Sequence, residues 1–196
     1  NLAGETVYKV FNNRIAMNWD EIEDIAMLFS SEYNKSASTT YGTDFGYFTE
    51  WWFNYGWSVG GDCLADLTGN GAWNFSLLDS TPNFIVADGK SYTGHYSEKT
   101  YQGGETLSFI DRMDAEKGQT LEPDNQGDYY LNGKKVGVHA NVLLAEESGT
   151  LLRFPSTREA FNRYLNLGAK TDADTDGEFG YNISPNPDTF VTRTSM

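Results

Sequence analysis

The chain is 196 residues long and carries 28 acidic against 14 basic residues, for a net charge of −14 and a pI near 4.4. That balance excludes the Lys/Arg surface that displaces counterions from nucleic acid and disfavours an anionic membrane. A single cysteine, Cys63, excludes an internal disulfide framework. The length suits one β-rich domain, 1–196, and 15% aromatic residues with 20 glycines lean the composition toward strands and tight turns. The longest aliphatic run is far too short to span a bilayer, so no membrane insertion is expected. Asn1 in place of a starting methionine reads as a processed or excised chain.

In chain order, residues 5–11 (ETVYKVF) alternate as a strand. Asn18 with Glu21 three residues on forms a capping box, and Trp19, Ile22, Ile25, Ala26 and Phe29 recur at helical spacing. This spacing predicts a helix ending near Tyr33, followed by a polar loop (NKSASTT). Residues 41–57 (YGTDFGYFTEWWFNYGW) contain nine aromatic residues. Phe45, Tyr47, Trp51, Phe53, Tyr55 and Trp57 fall at period two, which predicts a strand or hairpin with an aromatic core face; a short helix over 49–55 is the alternative. Phe48 and Trp52 take the opposite face. Together with Trp51, Trp57 and Glu50 they are the candidate ligand contacts, with Asp44 and Asn54 as flanking hydrogen-bonding groups. The plainer alternative for the whole stretch is core.

Residues 83–87 (NFIVA) read as a short buried strand, a turn follows at 87–90, and 105–111 (ETLSFID) read as another strand. Residues 112–127 look like an exposed loop. Asn132-Gly133 between DYYL and KKVGVHANVLLA predicts a type I′ hairpin, and a second hairpin turns at 146–149 to return as TLLRF, stopped by Pro155. Ser156 and Glu159 cap a second helix that ends at Gly168. Residues 169–196 read as an acidic, loop-like segment. The predicted class is α+β: mainly antiparallel β-sheet with two short capped helices packed on it.

Two loops have oxygen donors spaced for calcium, a hard cation that takes six to eight oxygens. One is Asp172-Ala-Asp174-Thr-Asp176-Gly177 followed by Glu178. The other runs from Asp66 through Thr68 and Asn70 to Asn74. The run CLADLTGNGAWNF resembles the loop of dockerin-type and EF-hand-like calcium repeats over about a dozen residues. The resemblance implies calcium as cofactor. Both loops carry an apolar residue, Leu77 or Ile183, where the repeat has a carboxylate, and Asn70 stands for an aspartate, so Asp79 or Glu178 would have to supply the missing oxygen. Without metal, both are Gly/Asp turns closed by their own side chains.

Cys63 with His139, oriented by Asn141 or Asp128, is the one pair suited to nucleophilic catalysis; an inert, buried thiol is the alternative. His95 and His139 are too few and too isolated in sequence for a zinc site. The expected function is an exported module, extracellular, on the cell surface or periplasmic. It would bind a glycan or protein ligand through aromatic residues without catalysis. The alternatives are a small hydrolase, either the Cys63/His139 thiol type or a carboxylate-based glycan-active type, and an acidic inhibitor or immunity protein.

Overall fold

A computed structural model describes residues 9–11, 14–16, 18–43, 53–168 and 183. The expectations on 5–8, 44–52 and, apart from Ile183, 169–196 lie outside them. These include Glu50, Phe48, Trp51, Trp52, Asp44 and the Asp172, Asp174, Asp176, Glu178 loop. The fold is α+β with antiparallel sheets, and its contacts divide into two compact units, Asn1–Trp51 with Asn162–Met196, and Trp52–Phe161.

In the first unit β1 (Lys9–Phe11) pairs antiparallel with β2 (Arg14–Ala16), Val10 opposite Ile15. Helix α1 (Trp19–Phe29) starts on the expected capping box. Asn18 Oδ1 accepts the Glu21 amide at 2.9 Å and Glu21 Oε2 accepts the Asn18 amide at 2.8 Å. It ends four residues before Tyr33 because Ser30 turns extended and its amide closes on the Met27 carbonyl. Arg163 reaches Asp20 at 2.6 Å and Glu23 at 3.5 Å, and the Thr43 amide donates to the Ile183 carbonyl at 2.8 Å. Burial, only partly offset by Arg163, raises the Glu23 carboxyl above its ordinary range.

The second unit opens with α2 (Phe53–Ser58). Here the strand reading fails over 53–57, the C-terminal part of the 41–57 stretch. Aromatic spacing in FNYGWS fits either period, and the helical turn wins by burying Tyr55 and Gly56 on one side. Strands β3 (Leu64–Asp66) and β4 (Trp73–Phe75) form a hairpin that leads through a short 3-10 turn, Ser76–Leu78, into β5 (Pro82–Val86). Next come β6 (Ser91–Thr93) and β7 (Thr100–Gln102), paired with each other.

Residues 105–111 are not a strand. Thr106 makes one bridge to Ile85, and α3 (Phe109–Arg112) then turns Asp111 and Arg112 into the interior. Strand β8 (Glu122–Pro123) lies on the edge of β9 (Tyr129–Leu131), which pairs with β10 (Lys134–Lys135) across the expected Asn132-Gly133 turn. Both turn residues have positive φ, 51° and 75°, as a type I′ turn requires.

The long returning strand expected after Lys134 is instead a two-residue strand followed by α4 (Ala140–Glu147), and with it the second hairpin disappears. ANVLLAEE is built from good helix formers, and Gly149 at φ 69° supplies the left-handed turn after it. Strand β11 (Leu151–Ser156) pairs with β5, Leu151 opposite Val86, and runs through Pro155 on a bulge. Helix α5 (Thr157–Leu167) follows with the Glu159 amide on Ser156 Oγ at 3.1 Å, as expected, and its residues are shared between the two units.

Phe84, Val86, Tyr101, Leu107, Val142 and Leu151 pack as one core cluster; Leu67, Phe109, Met113, Ala115, Tyr129 and Val136 form a second, with Val138 against both.

Candidate functional site

The second unit holds a cleft of about 710 Å³, within the span of roughly 300–1,000 Å³ usual for small-molecule sites. One wall is the β3–β4 hairpin. Leu64 stands opposite Phe75 and Asp66 opposite Trp73. Directly opposed residues of an antiparallel pair share a face, so these four side chains lie together, while Ala65 turns inward against the second core cluster. Trp73 is 64% exposed, and Leu64 and Phe75 are exposed beside it. Leu64 and Trp73 line the cleft, and Phe75 stands exposed on the same strand face.

The hairpin loop shows what Asp66 does. Its Oδ1 accepts the Asn70 amide at 3.2 Å and its Oδ2 accepts the Gly71 amide at 3.0 Å. Asn70 in turn takes the Ala72 amide on Oδ1 at 2.8 Å and donates through Nδ2 to the Gln119 carbonyl at 2.8 Å. The carboxylate and the carboxamide thus close the turn and tie it to the 116–120 loop. Asp79, considered as the missing twelfth ligand, is engaged elsewhere.

That other engagement forms the cleft floor. Asp79 Oδ2 and Arg112 Nη2 are 2.7 Å apart with side chains 2% and 7% exposed. Arg112 Nη1 also donates to the Pro82 and Thr81 carbonyls, while Asp79 Oδ1 accepts the amide and hydroxyl of Thr81. A buried ion pair is tolerable only when its remaining hydrogen-bonding capacity is filled, and here one position is open. Arg112 Nε is buried with no hydrogen-bond partner among the described residues. Burial, and then the Asp79 charge, push the nearby Tyr129 phenol well above its usual range.

Beside the floor, Asp111 anchors the facing wall. It is fully buried, and its Oδ1 accepts the amides of Tyr96 and Ser97 at 3.1 and 3.0 Å. Oδ2 accepts the hydroxyls of Tyr101 at 2.8 Å, Ser108 at 3.1 Å, and Ser97. Burial pushes this carboxyl up, but hydrogen bonds from the Ser97 side chain and amide, the Tyr101 hydroxyl and the Tyr96 amide outweigh it and hold the group below its ordinary value. The clamp fixes the 95–97 turn, so that Tyr96 and Ser97 line the cleft together with Trp73. The resulting cleft pairs the rings of Trp73 and Tyr96 with hydroxyl side chains and the buried Asp79–Arg112 pair among its lining residues.

The other residues singled out in sequence are placed as follows. Trp57 is 51% exposed on α2, edge-on to Phe53 at 6.0 Å, and not in the core as its alternation suggested. Cys63 precedes β3, and burial followed by the Asp62 charge pushes its thiol up to about 11, opposite to the shift an activated nucleophile needs. His139 stacks on the other histidine, His95, with ring centroids 3.6 Å apart. Two residues isolated in sequence are therefore neighbours in space, though no group of three or more His, Cys, Asp or Glu converges among the described residues. No helix among them is long and apolar enough to cross a membrane.

Sequence reasoning did not single out Trp73, Tyr96 or Arg112 as site residues. For Trp73 the signal was present, since Asp66 and Trp73 bracket a Gly-rich turn and an apolar residue at that point of a short hairpin must face one side. Scans against protein-family models, curated proteins and solved structures each found no match.

Proposed function

We propose that this chain is a binding module that takes a carbohydrate in the second-unit cleft, stacking a sugar face on Trp73 and acting without catalysis. The observation that carries the reading is the exposed indole of Trp73 bordering a cleft of about 710 Å³ that is also lined by Tyr96 and by the hydroxyl side chains of Ser97 and Ser108. A pyranose offers an apolar C–H face to a ring and a fringe of oxygens to donors, so a flat aromatic wall with a few placed polar groups suits it. Binding rather than proton transfer fits the carboxylates, because those of Asp66 and Asp79 are already committed to the loop amides and to Arg112.

Such a module belongs outside the cell, on its surface or in the periplasm, and a calcium ion on the Asp172–Glu178 loop is part of the same reading. A screen of neutral and acidic oligosaccharides by tryptophan fluorescence should find a binder whose affinity falls at least about tenfold, ~1.4 kcal/mol, in Trp73→Ala. Circular dichroism should remain unchanged. A panel with no binder, or a variant that binds as the wild type does, removes the reading in favour of a protein ligand or no ligand at this cleft.

A further inference from the structure

The two histidines of the chain meet face to face. The rings of His95 and His139 stand 3.6 Å apart and 17° from parallel, with Tyr96 tilted against His95 at 4.4 Å and edge-on to His139 at 6.5 Å. His95 has both ring nitrogens buried with no hydrogen-bond partner among the described residues. His139 is the N-cap of α4, and its Nδ1 accepts the Asn141 amide at 3.2 Å, which requires an unprotonated Nδ1. The backbone on either side of this pair leads directly to the cleft. The His139 amide donates to the Arg112 carbonyl at 3.0 Å and Val138 bridges Met113. His95 precedes the two residues whose amides clamp Asp111, and those residues, Tyr96 and Ser97, line the cleft.

We propose that the His95–His139 stack is a pH-sensitive latch that holds the 95–97 turn to the start of α4 when both rings are neutral and releases it on acidification. Three effects drive the release. A proton on His95 must sit in a buried place where neither ring nitrogen closes a hydrogen bond and only the Asp111 carbonyl favours the charge. A proton on His139 Nδ1 removes the acceptor from the Asn141 amide and sets a positive charge at the positive end of the α4 dipole. Charging both rings places like charges one stacking distance apart.

The groups facing the pair act in both directions. Burial first, then His139, lower the His95 pKa below its ordinary value of 6.5; the charges of Asp111 and Asp114 and the Asp111 carbonyl oppose them. That carbonyl favours the charged ring without closing a hydrogen bond to it. Asp111 is weakened as a counter-charge because its oxygens are spent on five other donors. Tyr96, the remaining titratable neighbour, is held neutral, its phenol raised by burial, then by Glu116 and Asp114.

The sign follows. A histidine whose folded pKa is depressed contributes stability that is complete above 6.5 and is lost as pH falls through the folded value. Most carboxylates protonate lower, near the ordinary values of 3.8 and 4.5, and Glu23, whose carboxyl burial raises, gains stability on protonation and so does not add to the loss. Just below pH 6.5 the loss therefore belongs to the His95 ring. Partial neutralisation of the −14 net charge works the other way in that window, by relieving self-repulsion.

The latch needs no ligand and so stands apart from the carbohydrate reading. Its test is an NMR titration of the two imidazole Cε1–H signals with amide exchange and melting temperature at pH 7.5 and 5.5. The comparison is the double variant His95→Phe, His139→Asn, which keeps a ring in the apolar site and an oxygen acceptor at the cap. Expected are a His95 midpoint below 6.5, faster exchange (corrected for the intrinsic rate) at the Tyr96, Ser97 and Asn141 amides at pH 5.5, and a fall in Tm on the order of 4 °C that the double variant lacks. A His95 midpoint at or above 6.5, unchanged protection of those amides, or an equal fall in the double variant overturns the latch. The wild-type titration decides the matter even if the variant does not fold.

Discussion

At Gly94 the chain passes so close to Asp111 that a Cβ there would lie 2.4 Å from the Asp111 carboxyl carbon. The carboxyl cannot yield, because five hydrogen bonds hold it in place and it is fully buried. Gly94→Ala should therefore cost about 1–3 kcal/mol in urea unfolding, the range for overpacking a tight interior. A loss under about 0.5 kcal/mol, the level of an ordinary surface change, would show that the carboxyl is not held as described. Asp111 itself adds an acid limit. With its folded pKa depressed, its contribution is present above the ordinary 3.8 and disappears as pH falls through the folded value. This separates it in pH from the histidine latch. None of this residue-scale design is visible in sequence. Gly94 reads as a turn glycine, and Asp111 as one of 28 acidic residues, most of which are solvated.

Elements whose signals are local were legible. The Asn18/Glu21 capping box specifies α1 within four residues, and both reciprocal hydrogen bonds form. Asn18→Ala should cost about 0.5–2 kcal/mol, as loss of an N-cap usually does, whereas Asn18→Ser should restore nearly all of it; thermal unfolding of both variants checks this. The Asn132-Gly133 turn was equally readable, since two residues with positive φ dictate it. Elements decided by distant partners were misread. ETLSFID alternates like a strand, but only Thr106 finds a strand partner, and α3 forms where Asp111 and Arg112 can reach Tyr101 and Asp79. VLLA reads as part of a strand because the Asn132-Gly133 turn calls for a returning partner, which the two residues of β10 already supply. Strand β11 takes the edge of β5, leaving residues 140–147 to follow their own helical propensity. The cleft was illegible for the same reason, since its two walls come from residues 60–76 and 96–112 and meet only through tertiary packing.

At the scale of the molecule, the acidic chain offers cations a favourable field, and the loop at Asp172–Glu178 concentrates four carboxylates in seven residues. If calcium binds the native chain there, millimolar calcium should raise Tm in proportion to the logarithm of its concentration above Kd, and chelator should reverse the rise. Asp174→Asn should abolish the shift, while Asp66→Asn, in a loop closed on its own amides, should not. A calcium-independent Tm would contradict calcium binding at residues 172–178.

The central claim is that the cleft between Trp73 and the Arg112 floor holds a glycan, and Arg112 Nε–H and the Trp73 indole N–H are both directly observable by 15N NMR. Titration with the best-binding oligosaccharide should move these two signals together with a single Kd, the Arg112 signal reporting the change in its surroundings as the cleft fills. Saturation that leaves both in place, or that moves only other tryptophan indoles such as that of Trp57, would contradict the assignment of the cleft as the binding site.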